Sequence, residues 1–152
     1  MNTKVSKELK RYNYLFGETG AAYHQLYRRL GQSDSSISIL YILLENDGSC
    51  LLQKICNYTG LSKQTVNSAL RKLEQEEVLY LEAADSKHKI VHLTEKGMKL
   101  ANKTAGKVIE IENDIFASWP RETLEQYISL TEKYLLSLKE RLNYEEKHNT
   151  TI

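Results

Sequence analysis

The sequence predicts a mainly α-helical chain that carries one small β-hairpin. Three observations point there. Apolar residues recur at helical spacing through most of the chain. Two short strand-like runs flank a single polar turn, Ala84–His88. Breakers are scarce, with one proline and seven glycines in 152 residues, which favours long helices over a many-stranded sheet.

The first helix is expected from about Ser6 to Leu30, where Leu9, Tyr12, Phe16, Tyr23, Leu26, Tyr27 and Leu30 form an amphipathic stripe. Gly17 and Gly20 interrupt it and mark either a kink or a close helix crossing. The polar stretch Gln32–Ser36 is rich in capping residues. A second helix follows with Ile37, Leu40, Leu43 and Leu44 inward, and Asn46-Asp47-Gly48 closes it with turn chemistry. Ser49–Leu51 has the length of a very short strand.

A third helix spans roughly Leu52–Tyr58, with Leu52, Ile55 and Cys56 inward. After Thr59-Gly60-Leu61, Ser62 is a good N-cap for a fourth helix, whose inner stripe is Val66, Ala69, Leu70 and Leu73. Glu76 and Glu77 close it. Strands are expected at Val78–Ala83 and Lys89–Leu93. Thr94 can cap a long helix running to about Ser118, with Ala101, Ala105, Val108, Ile111 or Glu112, Ile115 and Trp119 on one side. Pro120 breaks that helix and fits the first turn of a last one. There, Leu124, Tyr127 or Ile128, Thr131, Leu135, Leu138 and Leu142 make a short heptad-like seam. Glu145–Ile152 reads as a frayed polar tail.

Helix, turn, helix and hairpin in this order are the parts of a winged helix-turn-helix. A helix-turn-helix sets two helices at a steep angle around a tight turn that often contains glycine, and Gly60 fits that place. Leu52, Ile55, Leu61, Val66, Leu70 and Leu73 would lock the pair. The fourth helix then turns outward Ser62, Lys63, Gln64, Thr65, Asn67, Ser68, Arg71 and Lys72, a small, polar and basic face with no carboxylate before Glu74.

That composition suits contact with double-stranded DNA. Gln64 and Asn67 can pair with adenine edges in the major groove. Arg71 can read guanine or hold a phosphate. Ser62 and Thr65, with the helix-start amides, can take a phosphate, and Lys63 and Lys72 are phosphate contacts. At the hairpin tip, Lys87, His88 and Lys89 would reach a neighbouring minor groove or its phosphates.

Here the segment from Gly48 to Gly97 resembles the multiple antibiotic resistance regulator (MarR) family. Four features carry the resemblance: the helix-turn-helix Leu52–Leu73, the run Leu70-Arg71-Lys72-Leu73-Glu74, the wing beginning at Asp85, and Leu93-Thr94-Glu95-Lys96-Gly97 after it. The flanking helices match in length and order. The resemblance implies a homodimer with interleaved N- and C-terminal helices that binds a pseudo-palindromic operator, usually as a repressor. It departs at one point: the family's wing usually carries an arginine two residues after its aspartate, which tends to orient it, and Lys87 stands there, charged but without the planar fork.

Family members often hold a small phenolic or lipophilic effector between the dimer helices and the DNA-binding lobe. Tyr12, Tyr14, Phe16, Tyr23 and Tyr27 of the first helix, with Tyr41 of the second, suit such a pocket; an aromatic stripe at helical spacing equally suits dimer core. By domain, residues 37–97 are expected to be the DNA-binding lobe, and 1–36 with 98–152 a helical dimerisation region, in one intertwined domain.

Other classes find less in the residues. The net charge of +1 gives no global argument for nucleic acid, so any binding must come from cations gathered on one face. No apolar run reaches the ~18 residues that span a bilayer, and Met1–Arg11 lacks the apolar stretch of a signal peptide, so the cytoplasm is the expected compartment. His88 and His92 would lie about 13 Å apart on an extended strand, and His24 and His148 are remote in sequence, so no metal is expected. No glycine-rich phosphate loop or nucleophile elbow appears, so neither an enzyme nor a cofactor is expected. Cys50 and Cys56 read as small buried apolar residues; a redox-responsive regulator would instead need an exposed thiol of lowered pKa. Glu76, Glu77 and Glu82 near the wing keep open a winged-helix module that binds protein instead of DNA.

Overall fold

The computed structural model describes residues 3–149, with side chains to residue 146. The elements run α1 (Lys7–Arg29), α2 (Asp34–Glu45), β1 (Ser49–Leu51), α3 (Leu52–Thr59), α4 (Lys63–Gln75), β2 (Leu79–Ala83), β3 (Lys89–Leu93), α5 (Glu95–Lys103), α6 (Ala105–Ala117) and α7 (Arg121–Asn149). The chain divides into two units, one ending at Ile109 and the other beginning at Glu110.

The first unit is built around α2, whose Ile37, Ile39, Leu40, Ile42 and Leu43 are all buried. Ile55 of α3, Val66, Leu70 and Leu73 of α4, Val78 and Leu79 at the start of the hairpin, and Val91 of β3 close over it, with Ala101, Ala105 and Val108 behind. The C-terminal half of α1 lies on this core through Tyr23, Leu26, Tyr27 and Leu30, and His24 Nδ1 meets Asp34 Oδ1 at 2.8 Å across the α1–α2 corner. The N-terminal half leaves Leu9, Tyr12, Leu15 and Phe16 exposed. A Cβ on Gly17 or Gly20 would meet nothing within 4 Å, so among the described residues neither glycine serves a close crossing.

Local chemistry explains the boundaries. Ser6, Ser33, Ser62 and Thr94 each cap a helix by accepting the N–H three residues on. Gly60 closes α3 at φ 64°, the left-handed turn that lets α4 leave steeply. β1 pairs antiparallel with β3, which pairs with β2, giving the sheet order β1-β3-β2. The hairpin is therefore rooted in the core by a third strand.

Two expectations need correction. The helix expected to run unbroken from Thr94 to Ser118 is interrupted at Thr104 (φ −115°, ψ −82°). The buried Thr104 hydroxyl donates to the Leu100 carbonyl at 2.8 Å, a back-bond that bends helices. The expected frayed tail is helical to Asn149; residues 150–152 and the side chain of His148 lie outside the described residues. Pro120 stands just ahead of α7, its carbonyl accepting from Leu124 N–H at 3.1 Å.

In the second unit, Phe116, Trp119 and Tyr127 form an edge-to-face aromatic cluster, with ring centroids 5.3–6.4 Å apart. Along α7, Ile128, Leu135, Leu138 and Leu142 of the seam, and Leu130 and Leu136 off it, are exposed. Among the described residues, no helix is long and apolar enough to cross a membrane.

Candidate nucleic-acid interface

The inner stripe of α4 is fixed by Val66, Ala69, Leu70 and Leu73, all buried. This forces the opposite face outward. Ser62, Lys63, Gln64, Thr65, Ser68, Arg71 and Lys72 are exposed and Asn67 is half-buried. Gln64, Asn67, Ser68 and Arg71, at spacings of three, four and seven, form one stripe along the helix. At its start the Ser62 hydroxyl accepts from Thr65 N–H at 3.1 Å and lies 2.8 Å from Thr65 Oγ1. Ser62 is thus first a helix cap. The amides of Lys63 and Gln64 stay free of that bond and face the helix entry.

The hairpin tip is organised by one carboxylate. Asp85 Oδ1 accepts from Lys87 N–H at 2.7 Å and His88 N–H at 2.9 Å, and Asp85 Oδ2 lies 2.8 Å from His88 Nδ1. The Lys87 N–H and then the His88 ring hold the Asp85 carboxyl below the usual carboxylate range. Behind the tip, His92 Nε2 meets Glu82 Oε2 at 2.8 Å, and its ring stacks on Tyr80 at 4.9 Å. His92 is thereby tied to the strands, away from His88. Among the described residues no cluster of His, Cys, Asp or Glu could hold a metal ion.

Tip and helix meet across a cleft of about 550 Å³, lined by Leu51, Leu52, Gln53, Cys56, Lys63, Asn67, Lys87, His88 and Lys89. Of the expected α4 residues, Lys63 and Asn67 share this concave surface with the wing residues Lys87, His88 and Lys89, and three lysines and no carboxylate stand on its wall. Gln64, Thr65, Ser68, Arg71 and Lys72 lie on α4 outside that lining. Gln53 and Cys56 of α3 are additions that the sequence reading did not propose; their spacing of three on a short helix was the available signal.

A separate recess of about 190 Å³ joins Tyr27, Ile37, Ser38, Tyr41, Ile42, Tyr58 and Thr59. It brings together two of the expected aromatics, Tyr27 and Tyr41, and adds Tyr58. Tyr23 stacks obliquely on Tyr27 at 5.8 Å outside the recess, while Tyr12 and Phe16 pair with each other at 6.1 Å on the exposed half of α1. Cys50 is buried, and burial pushes its thiol pKa up against the lowering influence of Lys54. It therefore lacks the lowered pKa that a redox sensor needs.

A model of the MarR family matches residues 30–89, from the end of α1 past the wing tip. The MarR fold extends beyond the matched stretch. Staphylococcus aureus MepR in its DNA-binding conformation superposes with a TM-score of 0.73 at 25% identity, over 84% of this chain and 98% of that one. MepR in its DNA complex gives 0.68 at 26% identity, over 84% and 97%. NMB1585, a MarR family regulator from Neisseria meningitidis, gives 0.76 at 17% identity, over 93% and 99%, a likeness of fold. A search of curated proteins finds no match. The matched stretch and the MepR likeness support a DNA-binding transcriptional regulator.

Proposed function

We propose that the chain acts as a homodimeric repressor of a pseudo-palindromic operator. In this reading α4 of each subunit lies in a major groove and the wing tip reaches the adjacent minor groove or its phosphates. The observation that carries it is the shared cleft: Lys63 and Asn67 of α4 and the tip Lys87–Lys89 border one surface free of carboxylates on its wall. The solved complex of MepR with DNA, at 26% identity, supports the same use of this fold.

Within the reading, Gln64, Asn67 and Arg71 meet base edges. Ser62, Lys63, Thr65, Ser68 and Lys72 hold phosphates, and Lys87, His88 and Lys89 form the wing contact. Residues 37–97 are the DNA-binding lobe. The exposed apolar residues of α1 and the seam of α7 supply the dimer contact, because faces this apolar are rarely left to water. A small aromatic effector entering the recess at Tyr27, Tyr41 and Tyr58 would favour one dimer geometry over another and so relieve repression.

The experiment is a titration of the full chain against fragments of its own promoter at two salt concentrations, with nonspecific competitor. Tight binding that weakens with salt and survives the competitor supports the reading. Binding abolished by the competitor overturns it in favour of a nonspecific binder or a regulator of a distant operator, and no binding at low salt in favour of a winged-helix protein-interaction module.

A further inference from the structure

The geometry of the wing tip fixes the proton on one side of His88. Both Asp85 oxygens lie 2.8–2.9 Å from His88 Nδ1. An ionised carboxylate only accepts hydrogen bonds, so Nδ1 carries the proton and donates. Asp85 is held ionised by the backbone N–H of Lys87 and by His88 itself, so it stays charged while an imidazole titrates. The other ring nitrogen, Nε2, has no protein partner among the described residues. In a neutral ring it is a bare lone pair; in an imidazolium it is a cationic donor.

The groups around it can be named. His88 borders the cleft with Lys87 and Lys89 of the wing, Lys63 of α4 and the Cys56 thiol of α3, while Gln53 and Asn67 are uncharged. Asp85 is the carboxylate in contact with it. A phosphate entering the cleft adds a negative charge that favours the imidazolium.

We propose that His88 is a proton-dependent contact to the nucleic-acid backbone: DNA binding takes up a proton on Nε2, and Asp85 positions the ring for it. This rests on the wing contacting DNA, as set out above. It makes operator affinity rise as pH falls through the imidazole range. One proton per wing sets the ceiling, about tenfold in affinity per pH unit for each wing.

The test is the affinity of the full chain for its promoter duplex between about pH 6 and 8 at constant ionic strength, for wild type, His88→Gln and Asp85→Asn. The His88 ring proton is followed by NMR with and without DNA. The expected result is a wild-type affinity that strengthens several-fold toward pH 6, a flat profile in His88→Gln, and a weakened, displaced profile in Asp85→Asn. The ring should remain protonated to higher pH when DNA is bound. Binding with no pH slope, or with the same slope in His88→Gln, overturns the inference and leaves the DNA reading standing. No binding by wild type at any pH overturns both.

Discussion

The carbonyl oxygen of Val78 occupies the space where a side chain at residue 97 would begin. A Cβ built on Gly97 would lie 1.8 Å from that oxygen and 2.8 Å from its carbon. Thr94 locks the same junction, its hydroxyl donating to Glu77 O at 2.7 Å and its N–H to Val78 O at 3.0 Å. The start of α5 is thereby pressed against the α4–β2 turn, which sets the wing beside the outward helix. Gly97→Ala is expected to destabilise the protein by about 1–3 kcal/mol or more, since backbone and not a flexible side chain must move. Urea denaturation checks this, and an unchanged midpoint would contradict the packing.

Arg71 and Lys87 should fail in different ways. Arg71→Ala is expected to cost about 1–3 kcal/mol on the operator and to relax discrimination between sequences. Lys87→Ala should weaken all sequences alike and reduce the salt slope by about one. Titrations on operator and scrambled duplexes at several salt concentrations separate the two. Equal loss of specificity in both variants would remove the division of labour between helix and wing.

Cys50 gives a pH prediction with a defined sign. Burial raises its folded-state pKa above the ordinary thiol value. The folded state thus prefers the neutral thiol. Its contribution is complete below the ordinary thiol pKa and is lost as pH rises through the raised folded value. Stability should therefore fall in mildly alkaline solution, and this part of the fall should vanish in Cys50→Ala. Under native conditions near neutral pH, iodoacetamide should spare Cys50 and label it once urea unfolds the chain. Rapid native labelling would contradict the burial.

The α7 seam should decide assembly. Leu138 and Leu142 are 46% and 56% exposed in the single chain. Leu138→Glu with Leu142→Glu is expected to convert the proposed dimer to a monomer by sedimentation equilibrium, with helix content retained. A double variant that still sediments as a dimer would place the contact elsewhere.

Much of this structure was legible in the residues because it follows from local rules. Ser62, Gly60 and Thr94 sit where a cap or left-handed turn is required, and the stripe Val66, Ala69, Leu70, Leu73 dictates which side of α4 faces out. β3 falls at its expected residues because the β-branched pair Ile90 and Val91 follows a polar turn. What escaped depends on contacts between distant segments or on backbone detail. Pairing of Ser49–Leu51 with β3 is non-local. The break at Thr104 turns on one hydroxyl, and Glu77 takes φ 59° at the end of α4 although it is not a glycine. Gln53 and Cys56 join the cleft only because the wing is seated opposite α3. The aromatic stripe of α1 divides between exposed surface and core, a division that periodicity alone does not contain.

The most direct test of the central claim is a hydroxyl-radical footprint of the operator with wild type and with Lys87→Ala. A dimer reading DNA through α4 and the wing predicts two symmetric half-site protections about one helical turn apart, with flanking minor-groove protection that is lost in the variant. A single half-site protection, or flanks unchanged by Lys87→Ala, would contradict it.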